Sequence, residues 1–454
     1  MKGLSRLSGD GLRHRSMRSS LFTLFDAMSQ NGLRLLGNII LTRILFPEAF
    51  GIMALVTVVM TGLRMMSDIG LRASIIQHSR GGDPIFLDTA WTLQIARGGI
   101  LWLFCLLLAV PVANFYDVPI LAQVLPVAGL VAVFQGFNST KLATADRELL
   151  MGRVTIMLVA TRVIGLIVLI VLALALESIW ALVIGGLVSP FLIMILSHVA
   201  LPGRNNRFRI ERAAIWDLLH FGKYLFLSTL AGFLVLQADR AILGKLVSLE
   251  ELAFYTIAIT LAGLPRLVQQ RLFDKVFFPL YTKRPPAESA QNRAALAKAR
   301  WPVVTASVSA VAILAISGVW IIELLYDQRY QAAGPLLVLM AMASLPSVIF
   351  GGYGFMILSA GHSGRYAVLI VTSAVIRVAI LYFAILSYGV VGAALSPLIA
   401  TVLFYPILLV LIAPYKGWLP KQDLAFSALS IAVSSVAIWI NYPALKAAVE
   451  AVGP

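Results

Sequence analysis

Residues 41–77 read LTRILFPEAFGIMALVTVVMTGLRMMSDIGLRASIIQ. An apolar run fills 51–62, and a bilayer-crossing helix needs about 20 mostly apolar residues; residues 50–75 supply one. Thr57, Thr61, Arg64 and Asp68 recur within it at steps of four, three and four, which puts them on one stripe of a helix. This stretch therefore reads as a membrane helix that carries a polar stripe and an arginine near its middle.

The same pattern returns 202 residues later: Arg43 falls on Lys245, Glu48 on Glu250, Arg64 on Arg266, and the apolar run 51–62 on 253–264. At an offset of 212, Val163-Ile164 fall on Val375-Ile376 and Ala181 on Ala393. These matches point to a duplicated six-helix unit. Apolar segments near 19–45, 50–75, 89–114, 119–142, 155–176, 179–200, 219–244, 251–280, 302–325, 333–360, 366–388, 391–413 and 423–441 give thirteen candidate spans. Six spans per repeat is an even number, so both halves enter from the same side, which makes a parallel repeat about an axis along the membrane normal. The expected organisation is a basic N-terminal arm (1–18), an N-lobe (19–200), a cytoplasmic linker (201–216), a C-lobe (217–415) with a basic loop at 282–300, and an extra C-terminal span with its tail (416–454).

Composition agrees with a membrane protein. Of the 454 residues, 60% are apolar or aromatic and 13% charged, whereas soluble domains carry about 25% charge. That excludes an ordinary soluble enzyme, a disordered chain and a nucleic-acid module, even though the net charge is +15. The excess of Lys and Arg marks cytoplasmic loops instead. With the N-terminus in the cytoplasm, the inward segments hold 22 Lys and Arg and the outward ends 4. The basic stretch ahead of the first span resembles a signal-peptide n-region, but that span is long and no small-residue cleavage site follows it, so it reads as retained. Residues 1–18 suit either an anionic leaflet surface or a solvated tail.

The chemistry lies in charge at membrane depth. Arg34, Arg64, Arg266 and Arg377 fall near the middles of their spans, Arg97 in the inner third of its own, and Arg271 toward an inner end. A central Arg costs about 2.5–3.5 kcal/mol on the insertion scale. Arg64 has Asp68 one turn on, and that pair can neutralise itself. Arg34, Arg97, Arg266 and Arg377 have no acid three or four residues away. In the first span Asp26, Gln30, Arg34 and Asn38 recur every four residues with Asn31 beside them; Gln135, Asn138, Gln269 and Gln270 add further polar groups. The arrangement points to a cationic cavity lined mainly by the first, second, seventh and eighth spans. The competing readings are bonding to helix-end carbonyls, snorkelling to the inner surface and polar packing between helices. A cationic cavity selects an anion that crosses the membrane, and phosphate-bearing lipid-linked substrates fit, because guanidinium forks bind pyrophosphate bidentately.

Residues 41–77, together with LHFGKYLFLSTLAGFLVLQADRAILGKLVSLEELAFYTIA at 219–258, resemble the opening stretches of the two halves of bacterial polysaccharide transporters. These are the Wzx-type oligosaccharide flippases of the multidrug/oligosaccharidyl-lipid/polysaccharide (MOP) exporter superfamily, and the resemblance covers residues 19–415. It implies an all-α polytopic protein, with two six-helix bundles forming a V around a central cationic cavity. It also implies translocation of undecaprenyl-pyrophosphate-linked oligosaccharide from the inner to the outer leaflet of the bacterial inner membrane by alternating access. The product would be exopolysaccharide, capsule or O-antigen, with a polymerase and export machinery as partners. Arginines in the first, second and eighth spans serve as headgroup ligands in related flippases, and Arg34, Arg64 and Arg266 occupy comparable positions. Members have twelve or fourteen spans, so thirteen departs from the pattern.

The expected substrate-binding set is Arg34, Arg64, Arg266, Arg377, Arg97, Arg271, Gln30 and Asn38. Asp26, Asp68 and Asp239 are candidates for coupling to H⁺ or Na⁺. No catalytic residue, resident metal or cofactor is expected. There is no Walker loop or G-x-S-x-G elbow, and the one cysteine, Cys105, excludes a Cys-cluster metal site. The five histidines (His14, His78, His198, His220, His362) do not pair at metal spacing. A cation-coupled drug exporter of the same superfamily calls for an acidic cavity. A membrane-embedded polysaccharide polymerase calls for a large outward loop, and the outward loops here are only a few residues long.

Overall fold

The computed structural model describes residues 12–68, 70–148, 151–222 and 225–452. Among them the secondary structure is helical throughout. Most of the basic arm 1–18 lies outside the described residues; the first helix runs Leu12–Leu41.

Nine helices are long and apolar enough to cross a bilayer among the described residues, and ten if the bent pair Leu121–Phe137 and Lys141–Arg147 is one broken span. One of the nine, Ser363–Tyr415, is 53 residues long. That is about 80 Å at 1.5 Å per residue, far more than the ~30 Å hydrocarbon core. Its helix leaves helical geometry at Tyr388 and Gly389 (φ 49°), where the sequence divides the spans 366–388 and 391–413. Gly392 lies so close to the Ala384 carbonyl that a Cβ there would overlap it. Helices Leu12–Leu41 and Leu225–Leu246 fall outside the apolar set; they carry the polar stripe of the first span and the Asp239-Arg240 pair. Each of the thirteen expected spans thus coincides with a helix or half-helix.

Boundaries differ from the expectation where polar groups rewrite the helix. The second span stops at Met66, not near 75. Gly70 adopts a left-handed φ of 67° and donates its N–H to the Asp68 carboxylate (3.0 Å). A separate short helix, Leu71–Gln77, follows. The fourth span breaks after Phe137, and the next helix leaves at 57°. The eighth is interrupted at Gly263-Leu264-Pro265 and again by a π-helical turn at Phe273–Phe277. Acids between the helices act as helix stops and starts: Asp117 and Glu177 end helices with φ of 57° and 46°, and Ser248 forms a capping box with Glu251.

The chain divides into two units, Met1–Leu230 and Ala231–Pro454. In the first, helix Pro84–Tyr116 packs on Leu121–Phe137, and Met151–Leu176 on both Ile179–Val199 and Leu12–Leu41. A Cβ on Gly98 would sit 2.6 Å from the Ala132 carbonyl and 3.1 Å from the Gly136 Cα. That close backbone approach is how membrane helices pack where water supplies no hydrophobic drive. In the second unit, helix Ala333–Phe350 is the centre: 78% of its span window is buried, against 22–44% for the other candidate spans. Helices Ala290–Leu325, Leu249–Ala262, Ser363–Ile412 and Pro420–Ile440 surround it.

Candidate functional site

In the first unit, the stripe of helix Leu12–Leu41 is partly engaged. Asp26 accepts from Arg162 Nη1 at 2.6 Å, a pair in which both side chains are about one-fifth exposed. Arg162 stands on helix Met151–Leu176; nothing in local spacing links it to Asp26, which is 136 residues away. Gln30 and Arg34 are exposed and Asn38 is half-buried on the same helix. In helix Pro47–Met66, Thr57 bonds back to the Met53 carbonyl (2.7 Å). Arg97, from helix Pro84–Tyr116, donates to the Arg64 carbonyl (3.0 Å) and the Ser67 hydroxyl (3.1 Å). A guanidinium at a helix C-terminus satisfies orphan carbonyls and complements the dipole, so Arg97 holds the end of the second span.

Arg64 itself forms no ion pair with Asp68. The i,i+4 neutralisation read from the sequence fails because Asp68 lies past the helix end and turns to the Gly70 N–H. Among the described residues the Arg64 guanidinium has no bonded partner, and the residue is exposed. Gln94, which sequence reasoning overlooked, gathers the carbonyls of Gln135, Gly136 and Asn138 at 2.8–3.2 Å where the fourth span breaks.

In the second unit, Arg377 lies near enough to Arg266 for the two cations to repel. Neither has a bonded carboxylate among the described residues, and Arg266 is exposed. Arg271 stands half-buried one turn further along the same helix. Beside Arg377 is a small cluster that the sequence did not reveal. The hydroxyl of Tyr255, itself 2% exposed, donates to Asp239 (3.0 Å), and the Arg240 N–H donates to the other carboxylate oxygen (2.8 Å). Gln269 is not a lining residue: it is buried, and its amide donates to the Val348 carbonyl (2.8 Å). Gln270, next to it, is exposed.

The most buried charge lies elsewhere. Arg300 (1% exposed) and Asp423 (3% exposed) pair at 2.7 Å. Arg300 also donates to the Ile349 carbonyl and stacks over the Tyr353 ring, and Tyr353 and Tyr405 donate to Asp423 at 2.8–2.9 Å. Sequence placed Arg300 in a basic loop; the fold makes it the anchor that fastens helix Pro420–Ile440 to helix Ala290–Leu325.

The model of the family described as polysaccharide biosynthesis protein matches residues 40–335. The chain belongs to this family. The succinoglycan biosynthesis transport protein ExoT of Rhizobium meliloti (strain 1021) is 24% identical over 251 residues, 55% of this chain and 50% of that protein. The teichuronic acid biosynthesis protein TuaB of Bacillus subtilis (strain 168) is 19% identical over 301 residues, 66% of this chain and 62% of that protein. The chain thus spans between half and two-thirds of the length of these two relatives. Among solved structures, the lipid II flippase MurJ in an inward-closed conformation superposes with a TM-score of 0.70 at 14% identity, covering 95% of this chain and 98% of that one. An outward-facing multidrug resistance MATE family transporter of the MOP superfamily gives 0.52 at 17% identity, covering 94% and 99%. The fold is therefore that of MOP transporters, and the family member is a multi-pass membrane protein, as residues 41–77 and 219–258 imply.

Proposed function

We propose that the chain is a flippase for undecaprenyl-pyrophosphate-linked oligosaccharide, working from the inner to the outer leaflet of a bacterial inner membrane by alternating access, with its N-terminus in the cytoplasm. The observation that carries this reading is the Arg266–Arg377 pair: two guanidinium groups at membrane depth, mutually repelling, with no bonded carboxylate among the described residues. A central arginine costs about 2.5–3.5 kcal/mol in a bilayer, and an anion is what makes two of them worth keeping. A pyrophosphate presents several oxygens to two forks. Arg64 supplies a comparable group in the first unit. A cationic drug would meet repulsion here, which disfavours the drug-exporter reading. The names of relatives in succinoglycan transport and teichuronic acid biosynthesis support a polymer precursor as cargo.

Coupling to H⁺ or Na⁺ falls to Asp239 in this reading. Asp26 already neutralises Arg162 and Asp68 holds the Gly70 turn, whereas Asp239 sits beside Arg377 and, among the described residues, has a phenol and a backbone N–H as its bonded partners. Membrane potential adds about 2.3 kcal/mol per charge per 100 mV and favours outward movement of an anion when the inside is negative. In cells lacking the native gene, Arg266→Ala and Arg377→Ala proteins that insert at normal levels should abolish polymer export while lipid-linked repeat units accumulate inside. Undiminished export by both variants defeats the proposal.

A further inference from the structure

The linker after helix Ile179–Val199 is an extended strap, 203–211, laid across the first turns of helix Pro84–Tyr116. Alternate backbone N–H groups hold it there. Arg207 donates to Asp88 (3.0 Å), Arg209 to the Thr92 hydroxyl (3.1 Å) and Glu211 to the Thr89 hydroxyl (3.2 Å). The Arg204 guanidinium reaches Asp88, which is 3% exposed, and Asn206 is bonded to Ser139 and Thr140. Arg80 bridges Asp83 to Glu211 at 2.6 and 2.7 Å. The backbone is tied down at alternate residues, and large side chains stand exposed along it. Phe208 is 69% exposed, Ile210 68% and Trp216 71%. Arg207, Arg209 and Arg212 are exposed, and their guanidinium groups have no bonded partner among the described residues.

The depth of the strap follows from the helix beneath it. Between Gly98 and Tyr116 that helix has no Asp, Glu, Lys or Arg; the length is about 28 Å, which matches the hydrocarbon core. Arg97 marks its basic-side boundary. The strap crosses at Asp88–Thr92, about 8–14 Å further along the helix axis by the same rise, at the outer edge of a headgroup layer about 5–8 Å thick and within reach of its phosphates for a long arginine side chain. Three large apolar side chains within nine residues are unfavourable in bulk water but suit that interface, and guanidinium groups beside them meet lipid phosphates. The Phe208 ring packs 4.9 Å from Trp91, itself buried, which fixes its register against the helix.

We propose that the strap, with Arg207, Arg209, Arg212, Phe208, Ile210 and Trp216, is a docking ridge for anionic phospholipid headgroups of the basic-side leaflet. Binding there does not involve Arg266 or Arg377. The test uses the full chain in nanodiscs of phosphatidylcholine alone or mixed with phosphatidylglycerol. Ile210→Cys is labelled with a nitroxide; Cys105 is fully buried and stays unlabelled. Phosphatidylglycerol should shield the label from a soluble nickel chelate, and Arg207→Gln/Arg209→Gln/Arg212→Gln should abolish the shielding. Native mass spectrometry should show retention of phosphatidylglycerol over phosphatidylcholine falling about five-fold per arginine neutralised, equivalent to ~1 kcal/mol per charge. Equal exposure in both nanodiscs overturns the proposal, as does undiminished retention by the triple variant. Shielding by undecaprenyl pyrophosphate in phosphatidylcholine but not by phosphatidylglycerol also overturns it, because the ridge would then serve the cargo. If the triple variant does not fold, the comparison of the two lipids on the otherwise unaltered Ile210→Cys protein decides alone.

Discussion

Two arginines of the second unit should respond to the same substitution with opposite signs. Arg266 has no bonded carboxylate among the described residues and has Arg377 for a charged neighbour. Replacing it by Gln removes a group that costs about 2.5–3.5 kcal/mol at the centre of a membrane helix, reduced here because the residue is exposed, so Arg266→Gln should stabilise the ligand-free protein by about 1–2 kcal/mol. Arg300 is the reverse case: its partner Asp423 is 3% exposed. Arg300→Gln leaves that carboxylate buried and uncompensated, and breaking such a pair costs about 3–5 kcal/mol. At about 2–4 °C per kcal/mol for a unit of roughly 200 residues, thermal unfolding in nanodiscs should show midpoints moving up by a few degrees for Arg266→Gln and down by about 10 °C for Arg300→Gln. Undecaprenyl pyrophosphate at about 100 times its Kd should raise the unsubstituted protein by ~2.7 kcal/mol and leave Arg266→Gln unmoved. If Arg266→Gln is destabilising, as Arg300→Gln is, and still responds to the ligand, then Arg266 is a structural residue and the reasoning from its unneutralised charge is wrong.

Three other outcomes follow from the same geometry. Arg300→Met combined with Asp423→Leu should recover most of the stability lost in either single variant, measured as a double-mutant cycle, because a matched apolar pair removes both desolvation costs. Arg97→Gln should lower stability by about 1 kcal/mol through loss of the cation at a helix C-terminus while lipid-linked repeat units still cross in an export assay; complete loss of export would make Arg97 a cargo ligand. Asp83 is held below its ordinary value of 3.8, first by the Arg80 hydrogen bond and then by the Ile85 N–H. Its contribution is complete above about pH 4 and is lost as pH falls through the lowered value, so Asp83→Asn should flatten the acid limb of a stability profile there and leave the neutral range parallel.

The spans were legible because a bilayer imposes one periodicity and one length on every crossing. Even the turn inside Ser363–Tyr415 falls where hydropathy divides it, since Gly389 and Gly392 permit a geometry that a Cβ would block. The helix breaks were less legible. The second span ends at Met66, where Arg97 donates to the Arg64 carbonyl and the Ser67 hydroxyl and Gly70 donates to Asp68, and hydropathy does not report such backbone contacts.

The pairing of the charged side chains was not legible in the sequence, for a physical reason. Helical spacing reports only partners on the same helix, whereas membrane charges are neutralised across helices. Arg64 and Asp68 have the ideal spacing and do not pair, because the helix ends between them. Asp26 and Arg162 have no sequence relation and meet at 2.6 Å. The same holds for Tyr255 on Asp239 and for Arg300 on Asp423, each contact joining different helices. Asp26 and Asp423 are taken up by cross-helix ion pairs and Asp68 turns to the local Gly70 N–H, so the guanidinium groups of Arg64, Arg266 and Arg377 are left with no bonded carboxylate among the described residues.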